Sequence, residues 1–245
     1  MKIEAIVTCV QYSDFLAETL PHNRTLFDRM IVVTAPEDKE TRALCEHWNV
    51  ECLPTDSFNS RWDQFCKGAA INDGLAKLDK SDWIVHLDAD ILLPPLTRGL
   101  LEDAALDPSF IYGIDRVMVT DYVKWRKFLS KPVSQLAGGA FLRVEEFLRG
   151  DRLVTRQFGG WVPIGFFQMW HGSSGRLTYP TEHTSAARGD VQFATQWPRT
   201  KRALIPEIIG YHIESEVVEM GTNWLGRKTK PFLPALKKDS DYDIK

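Results

Sequence analysis

Residues 83–95 read WIVHLDADILLPP, a run of buried-type residues that ends in two carboxylates, Asp88 and Asp90, one residue apart. Along a strand, residues i and i+2 point to the same side about 7 Å apart, so both acids face one way. Two like charges at the mouth of an apolar strand repel each other and lose hydration unless a cation lies beside them. A divalent ion with oxygen ligands, Mn²⁺ or Mg²⁺, answers that need. Such ions keep positions for water and phosphate oxygens, so the pair points to a diphosphate-bearing ligand. The other reading of the pair is two turn or cap acids that end a strand.

Outward from this strand, the chain alternates between strand-like and helix-like segments. The pattern predicts strands at 3–10, 30–34 and 50–53 and helices at 15–27 and 37–48, with a further helical period over 63–78 leading into the acidic strand. Alternation of this kind implies an α/β fold: one Rossmann-like domain, a mostly parallel central sheet and helices on both faces. Ligands in such sheets bind beyond the carboxyl ends of the strands, where the first, second and acid-bearing strands would converge. After Pro94-Pro95 the pattern predicts a helix to residue 106, a strand near 110–114 and a basic-aromatic helix at 121–129. Beyond them the chain is rich in Gly, Trp and polar residues, as loops around a site would be.

Composition narrows the class. A chain of 245 residues can bury a substantial core without staples. Its four cysteines, Cys9, Cys45, Cys52 and Cys66, form no C-x-x-C pair and read as reduced thiols. The opening MKIEAIVTCV carries an acid at Glu4 and suits a first strand more than a signal peptide, and no apolar run reaches the length of a membrane span. A cytoplasmic enzyme is the expectation, and the sequon Asn23-Arg24-Thr25 then has no role. The net charge of −3 argues against a general polyanion binder, although basic and aromatic residues interleave at 124–128 and Arg199, Lys201 and Arg202 form another basic cluster.

The stretch KGAAINDGL at 67–75, followed by WIVHLDADILLP, resembles the donor half of GT-A fold glycosyltransferases. The likeness is to the large D-x-D family that includes cellulose and chitin synthases. It covers roughly the first hundred residues. That resemblance implies a metal-dependent transferase that moves a sugar from a nucleotide-diphospho-sugar, a UDP-sugar, to a hydroxyl acceptor. Residues 1–105 would form the donor half, 106–236 the acceptor and catalytic half, and 237–245 a flexible tail.

By the same resemblance, Asp88 serves ribose or metal, Asp90 serves metal, and His212 on a late strand completes the metal shell. Thr8 and Tyr12 would meet the nucleotide base, Lys67 and Asn72 the nucleotide or diphosphate, and Lys230, with Arg227 beside it, the leaving diphosphate. Gly138-Gly139 would let backbone approach the donor sugar, or forms an ordinary tight turn. Asp190 in ARGDVQF is the candidate general base of an inverting reaction, with Glu182 and Asp151 in reserve. It stands after Gly where the family has Glu-Asp, and so reads equally as a helix N-cap.

Two other functions share the crevice. A sugar-nucleotide pyrophosphorylase needs a Gly-rich basic loop after the first strand, which Thr8-Cys9-Val10-Gln11 does not provide. A non-catalytic nucleotide-sugar binding module would lack the base. The sequence leaves the acceptor open among a glycan, another small molecule and a modified DNA base, and it leaves the oligomeric state open.

Overall fold

The computed structural model describes residues 1–59, 65–120, 122–130, 148–150, 152–157, 159–176, 178–182, 188–215, 227 and 229–232. Its first half is the expected alternation: β1 (Ile3–Thr8), α1 (Ser13–Asn23), β2 (Arg29–Thr34), α2 (Lys39–His47), β3 (Glu51–Pro54), α3 (Lys67–Leu75) and β4 (Trp83–Asp88). There follow β5 (Ile91–Leu92), α4 (Thr97–Asp103), β6 (Ile111–Val119) and α5 (Tyr122–Leu129). Then come the short β7 (Leu148–Arg149), β8 (Val154–Thr155) and β9 (Gly160–Trp161), β10 (Phe167–His171), α6 (Gly189–Ala194) and the long β11 (Arg202–Ile213).

The large sheet runs β3-β2-β1-β4-β10-β6-β11-β5, with β7 paired to β6. Its first part is parallel, as crossover helices require: β1 pairs with β2 and β4, and β2 with β3. The second part is mixed. Strand β10 runs antiparallel between β4 and β6, β11 is parallel to β6, and β5 is antiparallel to β11. Nothing in the periodicity of residues 160–213 announces this change, because β10 joins the sheet from a Gly- and aromatic-rich region with no repeating helix before it.

Strands buried on both faces read as largely apolar runs, and β1, with Glu4 as its one buried acid, and β2 do so. One apolar cluster collects Ala5, Val7, Val32, Val85, Leu87 and Met169 on one face of the sheet. A second collects Ile6, Ile31, Val33, Ile84, Ile71 and Trp170 on the other. A third lies beneath α5, where Trp125 and Phe128 pack on Tyr211, Val117 and Ile213. The basic-aromatic helix therefore spends its aromatic residues on the core. Trp170 and Trp197 are likewise fully buried and belong to the core.

The start of α2 follows from the sequence. Asp38 caps α2 by accepting from Thr41 N at 3.1 Å, and Glu40 in the first turn complements the helix dipole. Gly68 is required by packing, since a Cβ there would fall 2.1 Å from the carbonyl oxygen of Pro180. Among the described residues no helix is long and apolar enough to cross a membrane.

Candidate active site

The parallel strands end at one crevice. Thr8, the last residue of β1, is paired in register with Asp88, the last residue of β4, so the two side chains reach the same sheet edge. The chain leaves β1 through Gln11, whose backbone takes φ 58° and whose N–H donates to Asp38 Oδ2 at 2.7 Å. A left-handed conformation at a non-glycine residue is held there by its surroundings, and such positions gather at ligand-binding loops. A cleft of about 320 Å³ opens above this edge. Tyr12, Phe15, Phe58 and Phe65 line it together with Thr8, Lys67, Asp88, Asp90 and His212.

Lys67 opens α3 and places Nζ 2.5 Å from Asp88 Oδ1. Burial alone would raise the Asp88 carboxyl, but the Lys67 ammonium, through its charge and its hydrogen bond, outweighs it and holds it below the usual range. Burial likewise works against the Lys67 ammonium, and Asp88, with Asp190 and Asp90 beyond it, raises it above its ordinary value. Beneath them, His86 is fully buried with Nε2 4.0 Å from Asp88. Burial, reinforced by Lys67, lowers its pKa to about 3, so it is a neutral imidazole.

On the other side of the cleft, β5 pairs with β11 and brings Asp90 to His212, Oδ2 to Nε2 at 3.3 Å. His212 Nδ1 lies 3.7 Å from Glu214 Oε1. Burial lowers the His212 pKa and Asp90 more than restores it, so the net direction is upward. Among the described residues, four buried polar atoms around the cleft have no hydrogen-bond partner: Thr8 Oγ1, Asp90 Oδ1, His212 Nδ1 and Thr229 Oγ1. Buried polar groups are nearly always paired, and each left unpaired costs about 1–3 kcal/mol, so this cluster marks a place for a polar ligand.

Two carboxylates and an imidazole suit Mn²⁺ or Mg²⁺ chemically, and the unpartnered Asp90 oxygen is the donor left open for one. As they stand, the three do not form a ready cage. Among the described residues no three His, Cys, Asp or Glu side chains converge closely enough to hold a metal by themselves. Asp88 is turned to Lys67 instead.

Asn72 and Asp190 lie behind the cleft and not on its lining. The Asn72 amide clamps Tyr179, donating to its carbonyl at 2.9 Å and accepting from its N–H at 2.7 Å. Asp190 lies in the first turn of α6 with no cap hydrogen bond to that helix; its Oδ2 accepts from Gly165 N at 2.6 Å. The next residue, Phe166, offers its carbonyl to Asp88 N at 3.1 Å, so one short peptide links the two acids. Gln168 joins the same group, donating to the Asp190 carbonyl at 2.9 Å and accepting from Tyr179 Oη at 2.5 Å.

The remaining candidates divide. Lys230 is exposed and its carbonyl accepts from Arg227 and Ser215. Arg227 itself is committed to protein: it holds Asp14 through both terminal nitrogens and stacks on Tyr12 with Cζ 4.8 Å from the ring centre. It therefore pins residues 227 and 229–232 over α1 instead of standing free for a diphosphate. Glu182 is exposed and accepts from Gln192. Gly138, Gly139, Asp151 and the tail 237–245 lie outside the described residues. Sequence reasoning missed Glu214 and Thr229, which reach the cleft only through the late strand and the segment pinned by Arg227, and it missed His86, whose alternation reads as plain core.

No protein-family model matches the chain, and no curated protein matches it in sequence. Among solved structures it is similar to glucosyl-3-phosphoglycerate synthase from Mycobacterium tuberculosis in complex with Mn²⁺, UDP and glucosyl-3-phosphoglycerate. The identity is 12%, the TM-score 0.47, and the match covers 86% of this chain and 70% of that one. It is also similar to mannosyl-3-phosphoglycerate synthase from Rubrobacter xylanophilus, at 14% identity and a TM-score of 0.41, over 71% of this chain and 54% of that one. The fold and site described above are those of an α/β protein with a strand-end cleft lined by aromatic, basic and acidic side chains.

Proposed function

We propose that the protein is a metal-dependent glycosyltransferase that moves a sugar from a nucleotide-diphospho-sugar, a UDP-sugar, to a hydroxyl acceptor with inversion. The observation that carries this reading is the group of unpartnered buried polar atoms beside Lys67 and the two acids, at the carboxyl ends of the parallel strands. Residues 1–105 take the donor and residues 106–236 take the acceptor. Thr8 and Tyr12 meet the nucleotide base, with Phe58 and Phe65 beside them on the cleft lining, and Asp88 serves the ribose or the metal. Asp90 and His212 would hold Mn²⁺ or Mg²⁺, which when bound draws off the negative charge that develops on the departing diphosphate.

Lys67 adds a fixed positive charge on the same side. In the reaction, the acceptor oxygen forms a bond to the anomeric carbon as the bond from that carbon to the phosphate oxygen breaks. The acceptor proton passes to a carboxylate, for which Asp190 is our assignment, and the nucleoside diphosphate leaves with the electron pair. Four free cysteines fit a reducing, cytoplasmic setting.

The test is a panel of nucleotide sugars scored with the full chain for thermal shift and for slow hydrolysis, with Mn²⁺ and then with EDTA. UDP-sugars should raise the melting temperature with Mn²⁺ and lose that effect in EDTA. No response to any member of the panel overturns the reading.

A further inference from the structure

His86 stands two residues before Asp88 on β4, so both side chains project from one face of the sheet, the face on which Ile84 packs against α3. It is fully buried, and among the described residues neither of its ring nitrogens has a hydrogen-bond partner. Its polar neighbours are engaged elsewhere. Gln168, its register partner on β10, donates to the carbonyls of Pro163 and Asp190 and accepts from Tyr179 Oη. The Tyr179 ring stands edge-on to the imidazole, with centroids 5.3 Å apart.

A buried imidazole with neither nitrogen paired is less favourable than an apolar side chain of the same size, so packing alone does not account for a histidine here. The ring is neutral, kept so by burial and by the Lys67 charge, and a neutral imidazole carries one N–H. Asp88 Oδ1 lies 4.0 Å from Nε2, just beyond hydrogen-bond reach. That oxygen is the one held by Lys67, with Nζ at 2.5 Å. A single carboxylate oxygen thus stands between two side chains able to donate to it, and only the ammonium does so.

We propose that His86 is a positioning residue for Asp88: when a bound diphosphate draws the Lys67 ammonium to itself, the carboxylate moves onto the Nε2–H of His86. This rests on the transferase reading for the diphosphate, but not for the exchange of partners at Asp88. The movement needed is about 1 Å, the difference between the present 4.0 Å and an ordinary N–H···O length. Held from beneath through Oδ1, Asp88 keeps its other oxygen for the ribose or the metal. The neutral ring supplies a hydrogen bond and no counter-charge, so the Lys67 charge goes to the departing diphosphate while Asp88 stays in place.

One arm of the experiment needs no ligand. Wild type, H86M, K67Q and K67Q/H86M are melted as full chains in EDTA. H86M should melt no lower than wild type, because Met fills the space and leaves no orphaned nitrogen. In K67Q, where His86 is the donor left beneath Asp88, the same substitution should lower the midpoint by about 4 °C or more. K67Q/H86Q, whose amide puts a donor near the place of Nε2, should melt close to K67Q. An equal effect of H86M in both backgrounds, or an H86M protein that does not fold, overturns the proposal. Should K67Q not fold, K67M takes its place in the cycle.

Calorimetric titration of UDP in the presence of Mn²⁺ is the second arm. H86M should bind about tenfold or more weakly than wild type, and H86Q, which restores a donor, within about threefold of it. Equal binding by wild type and H86M overturns the proposal whatever the melts show. No binding by wild type itself counts against the transferase reading, and the melting cycle then decides the exchange between Lys67 and His86 at Asp88.

Discussion

Lys67 Nζ sits 2.5 Å from Asp88 Oδ1, joining the first residue of α3 to the last residue of the strand that follows it in sequence. The pair explains why Asp88 can end an apolar strand without a metal: the ammonium supplies the counter-charge that the sequence pattern demands. It also leaves Asp90 as the acid with an open oxygen, so the two carboxylates of the D-x-D stretch have different partners, Lys67 for one and His212 for the other.

Lys67→Gln should therefore make the protein depend on metal for stability. Removing one partner leaves Asp88 partly buried and uncompensated, at a cost of about 1–3 kcal/mol. A cation drawn to the unpaired acids restores part of that. In thermal melts, Mn²⁺ with UDP should raise the midpoint of K67Q more than that of wild type, and EDTA should remove the difference. Equal shifts in the two proteins would contradict the role given to Lys67.

Asn72→Ala tests a different kind of residue. Its amide makes two hydrogen bonds to the Tyr179 backbone and does not line the cleft. Loss of both leaves a buried N–H and carbonyl unsatisfied, at about 1–3 kcal/mol. Urea unfolding should show that loss, while the affinity for UDP with Mn²⁺ stays within about threefold of wild type. A large fall in UDP affinity at unchanged stability would return Asn72 to donor binding.

The acid limb of the stability curve has an identifiable contributor far from the cleft. Burial works to raise the Asp28 carboxyl, but Ile3 N–H, donating at 2.7 Å, and Arg98 Nη1, donating at 2.8 Å, hold it below the usual carboxylate range. A depressed folded-state pKa adds stability that is present above the unfolded value, about 3.9, and is lost as pH falls through the lower folded value. Unfolding of Asp28→Asn, measured from pH 6 to pH 2, should show lower stability at pH 6 and a shallower loss below pH 4 than wild type. Parallel curves would exclude Asp28 as a contributor.

How much of this was legible beforehand follows from the kind of signal each part leaves. The parallel half is local: apolar runs, helix starts and the D-x-D strand end are each readable within a dozen residues, and the structure places them at those positions within a few residues. The mixed half is decided by long-range pairing, such as β10 between β4 and β6, which leaves no periodic trace. The same holds at the site. Asp88 and Asp90 announce themselves by spacing, whereas the clamp on Tyr179 by Asn72, the commitment of Arg227 to Asp14 and the approach of Thr229 to the cleft exist only once distant segments meet. His86 is the clearest case, since strand alternation predicts a buried position but not a neutral imidazole beneath a salt bridge.

Asp190 is the position at which a structural and a chemical role can be separated. Its Oδ2 accepts from Gly165 N, and the peptide that follows supports Asp88 through the Phe166 carbonyl. Asp190→Asn keeps the size and, through its carbonyl oxygen, the bond from Gly165, but it cannot take a proton from an acceptor hydroxyl. If Asp190 is the base, kcat for transfer should fall by about 10²–10⁴-fold while UDP affinity and melting temperature stay near wild type. Asp190→Ala should in addition lower the melting temperature, because Gly165 N loses its acceptor. If the Asn variant retains transfer within a few fold and only the Ala variant loses it, along with stability, then Asp190 acts as a brace for the strand end, and the proton must go to another group.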